Sequence, residues 1–523
     1  MFNCDDSSIE DDISLGYTKK SNYYETEKNH TVLSKRGYSL IKDKFSIKEI
    51  EKVKLELTVK PFVCSDYGST SEPFNVYIES KSKLYIPKYI GYSKFGNPDK
   101  IKLNKGSLID IEFYGSLRDK QKVVVESYLK SCTKSHDFTK YSKGGIISVG
   151  CGFGKTVLAL YIATVLKRKT LVIVHKTFLM NQWKERIQQY IPSAKIGFIQ
   201  GKTIDVDDKD IVIGMLQSIS MKEYDDNVFN DFGFTVIDEA HHIAAEVFSR
   251  SLTKINSYYM LGLSATPKRK DGLSKVFEWY IGPYLYIQKK NDPKPLEINI
   301  VKFTSENEDY NDEVQNFKGQ VCMPKMINNI TQYFRRTELI YAIIAKIINE
   351  NLLRKILVLS DRREHLKMIY NMIENRKLCS VGYYIGGMKE KDLKKSENMQ
   401  VLLGTYSMSS EGMDIPELNT LIMGSPKSEI EQSVGRILRK DHEDLTPKIF
   451  DIVDDFSVFT NQANKRKKFY KKNNYKTVVC KIHDNCKFDV SEYTNMLDNT
   501  SIYDSTKNVK KVENDIFDNY LFE

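Results

Sequence analysis

Short aliphatic runs bounded by polar turns occur in two sets along this chain, and each set alternates with helical stretches. The first set is IISV, TLVIV, DIVIG, FTVID and YMLGLSA, between residues 146 and 265, with helical patterns such as TVLALYIATVL and FLMNQWKERIQQY filling the gaps. The second set, KILVLS, VGYYIG, VLLGT, TLIMGS and KIFDIVD, runs from residue 355 to 454. It follows a long helix candidate, TELIYAIIAKIINE, and encloses DRREHLKMIYNMIENR, where Leu366, Ile369, Tyr370 and Ile373 share one helical face. Runs that are apolar throughout, with no alternation, suit strands buried on both faces, as in parallel sheets flanked by helices. The pattern predicts an α/β fold of two lobes in tandem, each built on a parallel sheet.

The flanking segments read differently. Residues 1–30 are polar and expected to be disordered, and the short β-like runs up to residue 113 carry no chemical motif, so 1–113 reads as a small N-terminal accessory domain. The lobes span 114–285 and 296–460, joined by a polar linker, 286–295, that contains Pro293 and Pro295. Residues 461–481 hold eight Lys or Arg and no acid, whereas 482–523 hold nine acids and four bases. The chain therefore ends, over 461–523, in a basic segment and a polar acidic tail; the basic segment fits a solvated run as well as a nucleic-acid grip. A net charge of +10 favours a polyanionic partner. There is no signal-peptide pattern and no apolar run of about 18 residues, so a soluble intracellular protein without membrane contact, and a monomer, is expected. The eight cysteines are scattered and form no disulfide framework. Cys480, His483 and Cys486 lie close together, but a fourth ligand is missing nearby and the spacing is not a standard knuckle, which weighs against zinc.

Four motifs carry chemistry. In SVGCGFGKT, a strand runs into a glycine-rich turn and then a helix, the context of a phosphate-binding loop with Val149 at its usual first glycine. Gly150, Gly152 and Gly154 leave room for backbone N–H groups to close around phosphates at a helix N-terminus. Lys155 would reach the β and γ phosphates, and Thr156 would hold Mg²⁺. In VIDEAHHI, an apolar strand ends in two acids: Asp238 would bind Mg²⁺, and Glu239 would act as general base on the attacking water. In MLGLSATPKRKDG, Ser264 and Thr266 close another strand. In EQSVGRILRK, Gln432, Gly435, Arg436 and Arg439 fall on one helical face. Two arginines in a lobe without a phosphate loop suit stabilisation of charge on a transferring phosphoryl group.

GFGKT, DEAHH, LSATP and QSVGRILR, in this order and in two lobes, resemble the superfamily-2 helicases over about residues 114–455. The resemblance implies RecA-like lobes, ATP and Mg²⁺ as cofactors, and further roles by local match. LRDKQ implies that Gln121 reads the adenine. VIVHKTFLMNQW matches a strand-contacting motif, with His175-Lys176 replacing the common Pro-Thr, so Lys176 would touch nucleic acid. IGMLQSI implies the same for Gln217 and Ser218, and SDRREHL for Arg362. In LGTYSMSSEGMDIP, Thr405 would face nucleic acid, while Gly412 and Asp414 would serve the ATP site. Gln432 joins Arg436 and Arg439 in the catalytic set, and His241, Ser264 and Thr266 are implied in coupling.

Within that superfamily the phrasing of the motifs looks closest to the transcript-release helicases of large cytoplasmic DNA viruses and to XPB-like DNA translocases. This implies 3′–5′ movement on DNA, a host-cytoplasm or virion setting, and an RNA polymerase or transcription partner. An RNA helicase shares every ATPase motif and is the main rival reading. An inactive scaffold fits poorly, because Lys155, Glu239 and Arg439 are all present. A translocase fused to a nuclease also fits poorly, because the residues after 481 are too few and too polar to fold one.

Overall fold

The computed structural model describes residues 30–61, 72–133, 143–150, 152–225, 227–239, 245–265, 272–288, 295–317, 319–411, 413, 415–440, 445–484 and 501–503. The chain forms two compact units, residues 1–288 and 289–523.

The first unit holds an eight-stranded sheet. In spatial order its strands are Thr203–Ile204, Ile196–Gln200, Ile211–Met215, Thr170–Val174, Phe234–Ile237, Tyr259–Ser264, Gly144–Ser148 and Tyr284–Ile287. All neighbours pair in parallel except the short Thr203–Ile204 edge. The five expected strands are the central ones, buried along nearly their whole length because helices cover both faces. Three strands escape the sequence pattern. Ile196–Gln200 is only half-buried, Thr203–Ile204 is two exposed residues, and Tyr284–Ile287 begins in the expected lobe and runs into the expected linker.

Residues 30–101 include a separate five-stranded sheet in the order Ile78–Glu79, Lys83–Ile86, Gly37–Ile41, Thr31–Ser34, Lys100–Ile101. Its core of Leu33, Tyr38, Leu40, Leu84 and Ile86 packs under the helix Lys88–Phe95. This small sheet is tied to the larger one. Asn256 Nδ2 donates to the Ser34 carbonyl at 2.6 Å, and the buried Lys88 Nζ donates to the Tyr258 carbonyl at 3.0 Å.

The second unit repeats the theme with the strand order Val381–Tyr384, Val401–Gly404, Ile356–Leu359, Thr420–Met423, Lys448–Asp454, Glu297–Ser305, Lys476–Asp484, Ser501–Tyr503. Only the last pair is antiparallel. This differs from the expectation that the lobe ends at residue 460 and a free basic segment follows. Ser457–Lys472 is a helix and Lys476–Asp484 an inner strand of the sheet. The reason is a buried face hidden among the lysines. Phe459, Arg466 and Tyr470 are buried, while Lys465, Lys468, Lys471 and Lys472 stay exposed. Arg466 Nη2 lies 2.8 Å from Asp451 Oδ1, and Tyr470 O–H donates to Asp451 Oδ2 at 2.9 Å. On the strand Lys476–Asp484, Cys480 points into the core and His483 outward, so those two side chains cannot share a metal ion; Cys486 lies outside the described residues. No described helix is long and apolar enough to cross a membrane.

Because Arg466 is buried against Asp451, Arg466→Ala is expected to cost about 3–5 kcal/mol, by stranding the carboxylate in the core. Urea unfolding of the variant measures this. Ending the chain at residue 460 removes an inner strand and should leave the second unit unable to fold, which circular dichroism and solubility would reveal.

Candidate nucleotide site

In the first unit the central parallel strands all end at one edge of the sheet, where ligands bind in open α/β sheets. The strand Gly144–Ser148 leads through the glycine loop into the helix Lys155–Leu166. Val149 is buried and donates its amide to the Ser264 carbonyl at 3.0 Å, so it continues the sheet and takes no part in the turn. Gly152 and Gly154 have φ of 77° and 93°, the left-handed region that favours glycine. A side chain on Gly154 would also strike Gln121 Nε2, 2.5 Å from its Cβ position. Gly150 has no such demand. Its amide donates to Gln288 Oε1 at 2.9 Å, a contact from a residue that the sequence reading assigned to the linker.

Gln121 is buried beside this loop. Its Nε2 donates to the Phe153 carbonyl at 2.8 Å, and its Oε1 accepts from the Arg118 amide at 3.0 Å. Lys155, the first helical residue, places Nζ 2.7 Å from Glu239 Oε1, with both side chains largely buried. Thr156 follows it on the same turn, half-buried.

Asp238 and Glu239 follow the strand Phe234–Ile237. Asp238 is 5% exposed, and its amide donates to the Ile173 carbonyl at 3.0 Å. Burial and then the adjacent Glu239 push its carboxyl up to about 6, against the pull of Lys155 and a hydrogen bond from Trp183. Glu239 has φ of 50°, unusual for a residue with a side chain, and such strain costs on the order of 1–3 kcal/mol. A carboxylate and a hydroxyl, those of Asp238 and Thr156, are the hard-oxygen ligands that Mg²⁺ takes, and the left-handed glycine turn before the helix suits phosphate, so the residues present fit Mg²⁺ and a nucleotide. Ser264 is buried at the end of its strand; His241 and Thr266 lie outside the described residues.

Of the expected nucleic-acid contacts, those of the first unit follow strands that end on the same edge. Lys176 starts the helix Thr177–Tyr190, and Gln217 Nε2 donates to the His175 carbonyl at 3.0 Å, joining two of the predicted segments. Ser218 Oγ accepts from the Gly201 amide at 2.9 Å.

In the second unit, Thr405 follows the strand Val401–Gly404, and its Oγ1 lies 3.2 Å from Ser407 Oγ. Arg362 donates through Nη2 to the Pro324 carbonyl at 2.8 Å. Gln432 and Arg439 are half-buried. Arg436 departs from the expected pair of phosphate-facing arginines. It is 5% exposed, and it donates through Nε to the Ser409 carbonyl at 2.5 Å and through Nη1 to the Met413 carbonyl at 2.7 Å. Its guanidinium supports the chain around Met413, because buried N–H donors take the nearest carbonyls. Gly412 and Asp414 lie outside the described residues.

The raised Asp238 carboxyl gives a stability prediction. A carboxyl whose folded value exceeds its unfolded value costs stability as pH rises between the two, and the full cost is present above about 6. Asp238→Asn removes that cost and keeps an acceptor for Trp183. Its melting temperature at pH 8 should exceed that of the wild type by a few degrees, and the gain should shrink as pH falls below the folded value.

Residues 114–269 match the family model described as type III restriction enzyme, res subunit. The putative ATP-dependent RNA helicase L396 of Acanthamoeba polyphaga mimivirus is 38% identical over 458 residues, which is 85% of this chain and 86% of that protein. The putative helicase 161L of Invertebrate iridescent virus 6 is 28% identical over 71% of this chain and 84% of its own length. The transcript termination protein A18 of Yaba monkey tumor virus is 27% identical over 56% of this chain and 64% of its own. With its motifs in order on two parallel-sheet lobes and this similarity along most of its length, the chain belongs to the superfamily-2 helicases, and it is an ATP hydrolase related to viral helicases.

Proposed function

We propose that this protein is a nucleic-acid-stimulated ATPase that translocates on DNA and serves viral transcription at transcript release. The observation that carries the ATPase chemistry is the meeting of Lys155, Asp238 and Glu239 at the end of one sheet. Lys155 binds the β and γ phosphates, and Gln121 reads the adenine from its place beside the loop. Thr156 and Asp238 hold Mg²⁺, which when bound screens phosphate charge. Glu239 orients the attacking water and accepts its proton; it becomes available for this once phosphate draws Lys155 away from its carboxylate. Arg439 supplies positive charge to the transferring phosphoryl group. Arg436 acts one step back, by fixing the chain around Met413.

Lys176, Gln217, Ser218, Arg362 and Thr405 contact a nucleic-acid backbone, so binding is sequence-tolerant and weakens with salt. The transcription role is supported by the relative named as a transcript termination protein. A second reading, an RNA helicase, is supported by the name of the mimivirus relative.

ATPase rates measured side by side with single-stranded DNA, duplex DNA and RNA separate these readings: stronger stimulation by DNA is expected, and stimulation by RNA alone would reverse the choice. Glu239→Gln should bind ATP normally and lose turnover by at least about a hundred-fold, the scale of a positioned general base. Normal hydrolysis by that variant would sink the general-base role. Arg439→Ala should fold and bind nucleic acid yet lose stimulated hydrolysis.

A further inference from the structure

The proposed mechanism makes no use of Trp183, although its indole Nε1 donates to Asp238 Oδ2 at 2.8 Å, and both side chains are buried. Trp183 lies on the helix Thr177–Tyr190, which begins immediately after His175 and Lys176. The same residue is also held through its backbone, since the Asp238 amide donates to the Ile173 carbonyl, in the strand Thr170–Val174 that leads into His175. Gln217 Nε2 in turn holds the His175 carbonyl at 3.0 Å. The acid that would carry the metal is therefore clamped, backbone and side chain, by the strand and the helix on either side of Lys176.

A plainer reading is available: a core tryptophan that finds the nearest acceptor for its N–H. Trp183 does pack in the core with Leu179, Met180 and Ile187. That reading fits the apolar ring, but it does not account for the choice of acceptor. A buried carboxylate beside Glu239 is costly to keep, and carbonyls are the commoner partners for such donors.

We infer that Trp183 is a positioning residue, which orients the Asp238 carboxylate for Mg²⁺ and ties it to the helix that follows Lys176. Outer hydrogen bonds of this kind fix the direction of a metal-binding oxygen, and their loss typically costs 10–100-fold in metal affinity or activity. The connection also gives a route by which a shift of the helix on nucleic-acid contact moves the metal-site acid. The inference rests on the ATPase reading given above.

Trp183→Phe keeps an aromatic ring in the core and removes the donor together with part of the indole's volume, which makes the Mg²⁺ dependence, and not stability, the discriminating readout. At fixed ATP, its half-maximal Mg²⁺ concentration for hydrolysis should rise about ten-fold or more, measured below the variant's melting temperature where its circular dichroism matches the wild type. An unchanged Mg²⁺ requirement would overturn the inference. A wild type without Mg²⁺-dependent hydrolysis would overturn the ATPase reading, and the inference with it.

A spectroscopic readout does not depend on turnover. The chain has two tryptophans, so Trp279→Phe leaves Trp183 as the sole indole. Addition of Mg²⁺ with ADP to that variant should change the emission of Trp183, and Mg²⁺ with ADP should bind Trp183→Phe more weakly than the wild type. Silent emission together with equal affinity would leave Trp183 as a core side chain and nothing more.

Discussion

The nucleotide site depends on the parallel register between the strands Phe234–Ile237 and Thr170–Val174. Ile237 pairs with Ile173, and the next amide, that of Asp238, continues the ladder to the Ile173 carbonyl. This puts the two acids of the DEAH segment level with the start of the helix that carries Trp183. It also sets them beside the loop, because Tyr259–Ser264 lies between Phe234–Ile237 and Gly144–Ser148 in the same register direction. A slip of one residue would turn every side chain to the opposite face and send Asp238 away from the loop. Helices cover both faces, so any slip would also exchange well-packed aliphatic side chains for poorly packed ones, and the register is strongly specified.

Strain and charge at the site then have a common origin. Asp238 and Glu239 are adjacent carboxylates in a largely buried setting, and Glu239 disfavours ionisation of Asp238. The left-handed backbone at Glu239 separates its side-chain direction from that of Asp238. One acid meets Trp183 and the other meets Lys155. The local cost of a left-handed glutamate is carried by the packed sheet that precedes it.

Much of this was legible in the sequence because it is local. Apolar runs marked the central strands, and glycines before Gly-Lys-Thr marked a turn whose φ angles at Gly152 and Gly154 only glycine adopts readily. Gln121, which its motif implies reads the adenine, lies beside the loop and donates to the Phe153 carbonyl. What stayed hidden depends on contacts between distant residues. Gln288 reaches the Gly150 amide from a segment whose prolines and lysines look like linker. The strand Glu297–Ser305 alternates enough polar residues to pass for a surface segment, yet it is held between Lys448–Asp454 and Lys476–Asp484. Arg436 looks like a phosphate ligand by motif, but its environment turns it toward backbone carbonyls.

The basic stretch after residue 460 shows why composition misleads. Eight positive charges without an acid read as a solvated run or as a nucleic-acid grip. Folding is decided by the four-residue spacing of Arg466 and Tyr470, both aimed at Asp451. On the opposite face of the same strand, three residues on, Asp454 takes Arg336 at 2.6 Å and Tyr310 O–H at 2.6 Å. Each carboxylate is thus buried with a guanidinium and a phenol that together satisfy its oxygens, the condition under which a buried ion pair is tolerable. Such pairs add little net stability over an apolar core, but they punish misplacement severely, since a helix docked in the wrong register strands a charge on each side. The strand Lys448–Asp454 therefore fixes where helix Ser457–Lys472 must lie, and that helix delivers Lys476–Asp484 to its place in the sheet. Lys465, Lys468, Lys471 and Lys472 face solvent, and Arg466 and Tyr470 determine the docking.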